Sequence, residues 1–125
     1  MSRVSLARTL AALAGVSLLV ASAIHSGYLV EGYPHDGAAL PEAVIGSVVL
    51  VGLALSWLRR PWGRRSLIGG LAFGLAGSTL GLVLVIIGVG PQSTPDVVYH
   101  IGLIVCLVAG LVAAIGTPRP TATTG

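Results

Sequence analysis

The three histidines are the residues of this chain best suited to acid–base or ligand chemistry. His25 lies about five residues before the end of one long apolar stretch, and His100 lies about four residues after the start of another. At 1.5 Å per helical residue, both are predicted to lie roughly 6–8 Å inside the same boundary. His35 falls in the polar segment between apolar stretches. An ionisable side chain within a membrane-spanning segment is a candidate for function.

Two ligand hypotheses follow from this placement. In the first, His25 and His100 are the axial ligands of a haem, since helix bundles hold cofactors between facing helices. In the second, His25, His35, His100 and Asp96 form a divalent metal site. Imidazole suits Zn, Cu and Ni, and a carboxylate can complete the coordination. Either hypothesis describes a redox or metal-binding module.

A simpler interpretation gives the histidines no ligand. Each is then an interfacial residue that hydrogen-bonds to nearby hydroxyls or water, with Ser22 and Ser26 as the local partners of His25. Glu42 and Asp96 are then acidic residues at helix N-termini, where the helix dipole favours negative charge. Alternatively, Glu42 and Asp96 belong to one polar cluster with the histidines.

Other kinds of chemistry find little support in the residue pattern. The chain has no P-loop, no HExxH motif and no carboxylate at the centre of an apolar stretch, and its single cysteine, Cys106, excludes an intrachain disulfide. We therefore expect no enzymatic activity. A small-solute channel or transporter is a further alternative, because hydroxyls in the first and third stretches could line a path (Ser17, Ser22, Ser78 and Thr79). The 18 glycines argue for close helix packing instead.

Composition identifies the elements that must position these residues. Hydrophobic residues make up 54% of the 125 residues and charged residues only 9%, whereas about a quarter of the residues of a soluble domain are charged. This excludes a soluble globular domain, a disordered chain and a nucleic-acid-binding protein. Four apolar stretches, at about 10–30, 38–58, 67–89 and 97–115, are each long enough to cross a bilayer as a helix.

The predicted fold is an all-α membrane protein with four transmembrane helices in an antiparallel bundle. Residues 1–116 form its single domain, and 117–125 a short disordered tail. The small residues Ala21, Ser22 and Ala23 resemble a signal-peptide cleavage site, but the apolar run continues beyond them. We therefore expect the first span to be retained.

Charge placement predicts the topology. With four spans, all seven arginines fall on one side of the membrane and all four acidic residues on the other. The positive-inside rule then makes both termini cytoplasmic, in a multi-pass protein of the cell inner membrane. Four of these arginines form a basic loop that could contact anionic headgroups or simply fix the topology (Arg59, Arg60, Arg64 and Arg65).

Glycines predict how the helices pack, because small residues let helices approach closely in lipid. One face of the third span is lined by the glycines Gly70, Gly74, Gly77 and Gly81. A similar stripe of small residues runs along the fourth span (Gly102, Cys106, Ala109, Gly110 and Ala113). We expect the third span at the centre of the bundle, with its glycines packed within the chain; dimerisation through them is the alternative. Thr94 is the predicted N-cap of the fourth span, and Pro41 with Glu42 is predicted to begin the second.

The most consistent function is that of a non-enzymatic structural or regulatory subunit of a membrane complex. Its partners are then the lipid bilayer and another membrane protein or a second copy of this chain, with no role for nucleic acid.

Overall fold

The computed structural model describes residues 1–58 and 61–116, which form four α-helices. They are α1 (Arg3–His25), α2 (Asp36–Leu55), α3 (Gly63–Ile86) and α4 (Thr94–Ile115). Each is long and apolar enough to cross a membrane. The prediction of four such helices is therefore confirmed. The predicted tail 117–125 lies outside the described residues.

The helices α1 and α3 begin and end earlier than the apolar stretches that predicted them. The α1 helix begins at Arg3, where the Ser2 hydroxyl accepts a hydrogen bond from the backbone N–H of Ser5. It ends at His25 although the apolar run continues, because Gly27 takes a positive φ of 77°. Gly88, with φ of 85°, similarly follows the end of α3. Glycine adopts this left-handed conformation without the steric penalty of a side chain, and a hydropathy pattern does not reveal it.

The predicted start of α2 is wrong. The helix begins at Asp36, so that Pro41 lies inside it and Glu42 is no longer in its first turn. A proline at this position removes one backbone hydrogen bond, to the carbonyl of Gly37, but leaves the rest of the helix intact. The shift carries Glu42 from an expected helix end into the buried face of α2.

The helix α4 has a stronger N-terminal signal than predicted. Its N-cap is Ser93, one residue before the predicted Thr94, and Ser93 forms a reciprocal capping box with Asp96. Pro95 lies in the first turn, and Gly116 is the C-cap, as the sequence indicated.

The helices pack antiparallel, each against its chain neighbours, and α1 closes the arrangement against α4. The helices α1 and α3 also approach each other across the centre, whereas α2 and α4 lie further apart along their described lengths. The third span is thus near the centre, as predicted, and α1 shares that position with it. The core is small-residue and leucine-rich (Ala7, Ala11, Ala14, Leu18, Val49, Leu53, Leu67, Leu71, Leu103, Leu107, Ala113 and Ala114).

The glycine face of α3 is occupied within the chain. A Cβ added at Gly70 would lie 3.3 Å from the Cα of Gly52 on α2, and one at Gly77 would lie 2.5 Å from the Ile45 side chain. The packing matches the interpretation in which these glycines join helices of one chain. In the predicted stripe of α4, Gly110 packs against Leu71, but Gly102 has nothing within 4 Å and does not belong to the packed face.

Arginines bind helix C-termini at one end of the bundle, which we call the arginine end. Arg3 donates to the carbonyl of Gly116 at 3.0 Å, and Arg8 donates to the carbonyl of Ser56 at 2.5 Å. Arg64 donates to the carbonyls of Ala114 and Ile115. These side chains satisfy carbonyls that a helix leaves unpaired at its C-terminus. Within the predicted basic loop, Arg64 is thus engaged in the fold and Arg65 is exposed, while Arg59 and Arg60 lie outside the described residues.

Candidate functional site at the histidine end

The opposite end of the bundle, the histidine end, contains a buried triad of His25, Glu42 and Asp96. The Nδ1 atom of His25 lies 2.7 Å from Oε2 of Glu42, and its Nε2 atom lies 3.5 Å from Oδ1 of Asp96. The three residues are 4%, 6% and 9% exposed. They come from three helices, α1, α2 and α4, and the imidazole therefore joins two carboxylates across the bundle.

Local structure brings these side chains together. His25 is the last residue of α1, and the backbone N–H of His35 donates to its carbonyl at 2.8 Å, which closes the α1–α2 loop. Glu42 belongs to the buried face of α2 together with Ala39 and Gly46, at helical spacings of three and four. Asp96 is held by its capping box with Ser93, which positions its other oxygen toward His25.

The triad does not balance its own charge. With both carboxylates ionised and His25 protonated, the net charge of the three side chains is −1, and with neutral His25 it is −2. A buried charge without a partner is costly, so buried charges are found paired or neutralised. This end of the bundle therefore favours a further positive group or an additional proton.

His100 lies beside the triad and is held in one orientation. Its Nδ1 lies 2.7 Å from the backbone carbonyl of Asp96. Because a carbonyl only accepts, Nδ1 must carry the proton of this hydrogen bond, and in the neutral ring Nε2 is an acceptor. Nε2 is directed at α3, where a Cβ added at Gly81 would lie 2.8 Å from it. Tyr99 packs edge-on against the ring, with centroids 5.6 Å apart.

A cavity of about 220 Å³ adjoins this cluster and is lined by Glu42, His100, His35 and Ser78, among apolar side chains. The Ser78 hydroxyl is buried, and it has no hydrogen-bond partner in the described structure; the same is true of Nδ1 of His35. The neighbouring Thr79 differs, because its hydroxyl donates to the carbonyl of Leu75 at 2.8 Å. Unsatisfied buried polar atoms are rare and call for an explanation such as a bound molecule.

A larger groove of about 680 Å³ runs between α1 and α4 on the other side of the triad. Its walls are mostly apolar, and its polar groups are His25, Asp96, Ser17, Tyr33 and Tyr99, with Ser93 at one end. The triad thus lies between a small cavity, which has several polar groups among apolar side chains, and a larger, mainly apolar groove.

The structure brings most of the sequence-predicted site residues together. His25, His35, His100 and Asp96 all lie at the histidine end, and the rings of His25 and His35 are 6.3 Å apart. However, the described residues contain no group of three or more His, Cys, Asp or Glu side chains arranged to hold a metal ion. Both ring nitrogens of His25 face carboxylates, so a haem or metal would have to displace one of them. Both ligand hypotheses remain predictions.

Two local expectations are wrong. Ser22 and Ser26 are not the partners of His25, because Ser22 donates to the carbonyl of Ala39 and Ser26 donates to that of Ser22. Glu42 is a member of the buried cluster and not a helix N-terminal charge. The sequence showed no sign of carboxylates meeting across the bundle, yet Glu42 and Asp96 meet at His25.

The proposed polar path through the bundle is not formed by the hydroxyls that suggested it. Thr79 is exposed and bonded to its own helix, while Ser22 is bonded to α2. Ser17 lines the groove between α1 and α4, and Ser78 lines the small cavity. The four hydroxyls therefore lie in separate environments.

The chain matches no protein-family profile, no curated protein and no solved structure.

Proposed function

We propose that this protein is a non-enzymatic regulatory subunit or partner of another membrane protein, and that the triad at the histidine end is its responsive element. The observation that carries the proposal is that one buried imidazole, His25, joins carboxylates from two other helices. A change in the charge of any one of the three side chains changes how α1, α2 and α4 are held together.

The packing of the bundle supports regulation over conduction. Below the triad, the core consists of contiguous buried side chains such as Leu18, Leu71 and Leu107. The cavities adjoin the triad on its sides, and the described residues offer no polar route through this core. Changes at the histidine end are then expressed as changes in helix packing, which a neighbouring membrane protein can sense.

We further propose that the four helices cross the inner membrane with the arginine end in the cytoplasm. The described arginines at one end of the bundle, Arg3, Arg8, Arg64 and Arg65, support this orientation through the positive-inside rule. In this arrangement the triad faces the outer side of the membrane, where proton and cation concentrations differ from those of the cytoplasm.

The test is a quantitative comparison of partners by cross-linking and affinity purification from native membranes. Wild type is compared with Glu42→Gln, which removes one charge of the triad, and with Glu31→Gln, which removes an exposed charge from the same end of the molecule. We expect a membrane protein that is enriched with wild type and Glu31→Gln and at least several-fold depleted with Glu42→Gln. Identical partners for all three, or none with wild type, would overturn the proposal.

A further inference from the structure

The small cavity at the histidine end has a donor–acceptor balance that points to a specific class of ligand. Glu42 contributes a carboxylate whose Oε1 takes no part in the contact with His25. His100 contributes Nε2, which in the neutral ring is an acceptor because Nδ1 is the donor to Asp96. The mainly apolar cavity wall therefore presents at least two hydrogen-bond acceptors, from Glu42 and His100.

Ser78 adds an independent observation. Its hydroxyl is on the buried face of α3, is 3% exposed and has no partner in the described structure, although it lines the cavity. Serine in a helix commonly donates to the carbonyl four residues earlier, as Ser26 and Thr79 do here. Ser78 does not, and its hydroxyl is therefore free both to donate to and to accept from a molecule in the cavity.

The charges around the cavity indicate that the ligand is positively charged. With both carboxylates ionised, the adjoining triad has a net charge of −1 even when His25 is protonated, and Glu42 belongs to both the triad and the cavity. A bound cation would then neutralise the triad when His25 is protonated and halve its charge when His25 is neutral. A metal ion fits poorly, because the described residues present no group of three metal ligands. An ammonium group fits better, since it offers several N–H donors at hydrogen-bond distances to dispersed acceptors.

We propose that this cavity binds a small primary ammonium cation, with its N–H groups donating to Glu42, His100 Nε2 and Ser78. The volume of about 220 Å³ exceeds that of an ammonium group alone, and leaves space for a short alkyl chain or bridging waters. Access is from the histidine end, since Gly90 and Pro91 of the α3–α4 loop form part of the wall. This inference names the ligand of the proposed responsive element, but binding itself requires no partner protein.

The test uses the full-length protein purified in detergent or nanodiscs, titrated with methylammonium chloride and, separately, tetramethylammonium chloride. The two cations have the same charge, but only methylammonium has N–H donors. We expect saturable, one-to-one calorimetric binding of methylammonium and at least tenfold weaker binding of tetramethylammonium. In protein labelled with ¹⁵N-histidine, methylammonium is expected to shift the Nε2 resonance of His100. Equal binding of both cations, or no binding of methylammonium, would overturn the proposal.

Matched variants locate the site. Ser78→Ala is expected to weaken methylammonium binding about tenfold, the scale of one hydrogen bond to a charged group. Thr79→Ala, at the next position but bonded to its own helix, is the control and should bind like wild type. Glu42→Gln is expected to abolish measurable binding. Binding that is unchanged in Ser78→Ala, or zinc binding that depends on His100 and displaces methylammonium, would contradict the assignment.

These results separate this inference from the proposed function. Methylammonium binding without a charge-dependent partner would leave the ligand site intact and remove the regulatory role. A partner whose binding depends on the charge of Glu42, found without methylammonium binding, would support the regulatory role and remove the ligand site.

Discussion

His25 uses both of its ring nitrogens at once, toward Glu42 and toward Asp96. The imidazole is the cross-helix polar partner of each carboxylate, and all three side chains are buried. Breaking a buried pair by removing one partner is more costly than losing a surface ion pair, because the remaining charge is left uncompensated.

Glu42→Ala is therefore expected to lower the free energy of unfolding by about 3–5 kcal/mol. Glu42→Gln should cost less, since its amide oxygen can still accept from Nδ1 of His25. Denaturant unfolding in detergent, followed by circular dichroism, measures both. Glu31→Ala, at an exposed acid, is the control; an equal loss for Glu31→Ala and Glu42→Ala would contradict the role of the triad.

We also expect the purified protein to be colourless and to contain no stoichiometric transition metal, because a metal must compete with a carboxylate at each nitrogen of His25. Optical spectra and elemental analysis measure this directly. A haem spectrum or bound metal that disappears in His25→Ala and His100→Ala would instead establish the cofactor hypotheses.

The sequence places the histidines at one end of the fold but does not place Glu42 correctly. Pro41 indicated a helix start, whereas the helix begins at Asp36 and includes the proline. The signal that locates Glu42 is its spacing from Gly46, Val49 and Leu53, which puts all four on one helix face. The free hydroxyl of Ser78 could not be predicted, because it depends on the position of a neighbouring cavity.

At the scale of the helices, close packing of α2 on α3 depends on glycines. A Cβ added at Gly52 would lie 2.6 Å from the backbone carbonyl oxygen of Ser66, which cannot move aside as a flexible side chain can. The two helices would have to separate. Glycine here is required by the close approach of two backbones and not by helix propensity.

Gly52→Ala is accordingly expected to destabilise the protein by about 1–3 kcal/mol, the cost of overpacking a core. Gly69→Ala, in α3 with nothing within 4 Å of the added Cβ, should be neutral or slightly stabilising, because alanine favours helix. Thermal unfolding of the two variants checks this. A Gly52→Ala variant as stable as Gly69→Ala would show that the helices can separate at little cost.

The arginines of α3 differ in what they do for the fold. Arg64 donates to the carbonyls of Ala114 and Ile115 at the end of α4, at 3.1 and 2.6 Å, whereas the adjacent Arg65 is exposed. The sequence predicts both as one basic loop, because it carries no information about which guanidinium faces a neighbouring helix.

Arg64→Met is expected to lower the free energy of unfolding by about 1–2 kcal/mol through the loss of these hydrogen bonds. Arg65→Met is the matched control, since it removes the same charge from the next position, and should change stability little. Hydrogen exchange of the last turn of α4 provides a local measurement. Equal exchange in both variants would contradict the role of Arg64.

The two ends of the molecule differ in their polar groups. Arginines bind helix C-termini at one end, and the triad lies at the other. The number of helices and the segregation of arginines from histidines and acids are predictable from hydropathy and charge placement, whereas the contacts that these side chains make are not. Which helix faces pack together was harder to predict from the sequence. Glycine and alanine are common on several faces, and only the structure shows which of them meet.

We expect a fluorescent protein fused to the C-terminus to fluoresce and an alkaline phosphatase fusion at the same site to be inactive, as for a cytoplasmic terminus. Replacing Arg3 and Arg8 with glutamine should reduce the fraction of molecules with a cytoplasmic C-terminus, because arginine near the first span contributes to orientation. An active phosphatase fusion in the wild-type chain would contradict the proposed topology.

The closure of the α1–α2 loop has a consequence for how the chain is made. The hydrogen bond from His35 to the carbonyl of His25, the bond from Ser22 to Ala39 and the pairing of His25 with Glu42 all lie within the first helical hairpin. During synthesis this hairpin can enter the bilayer with its acid already matched by an imidazole. Asp96 arrives later, on a helix start where Ser93 already binds it. In this order of insertion, Glu42 and Asp96 would each enter the membrane with a partner from the same segment.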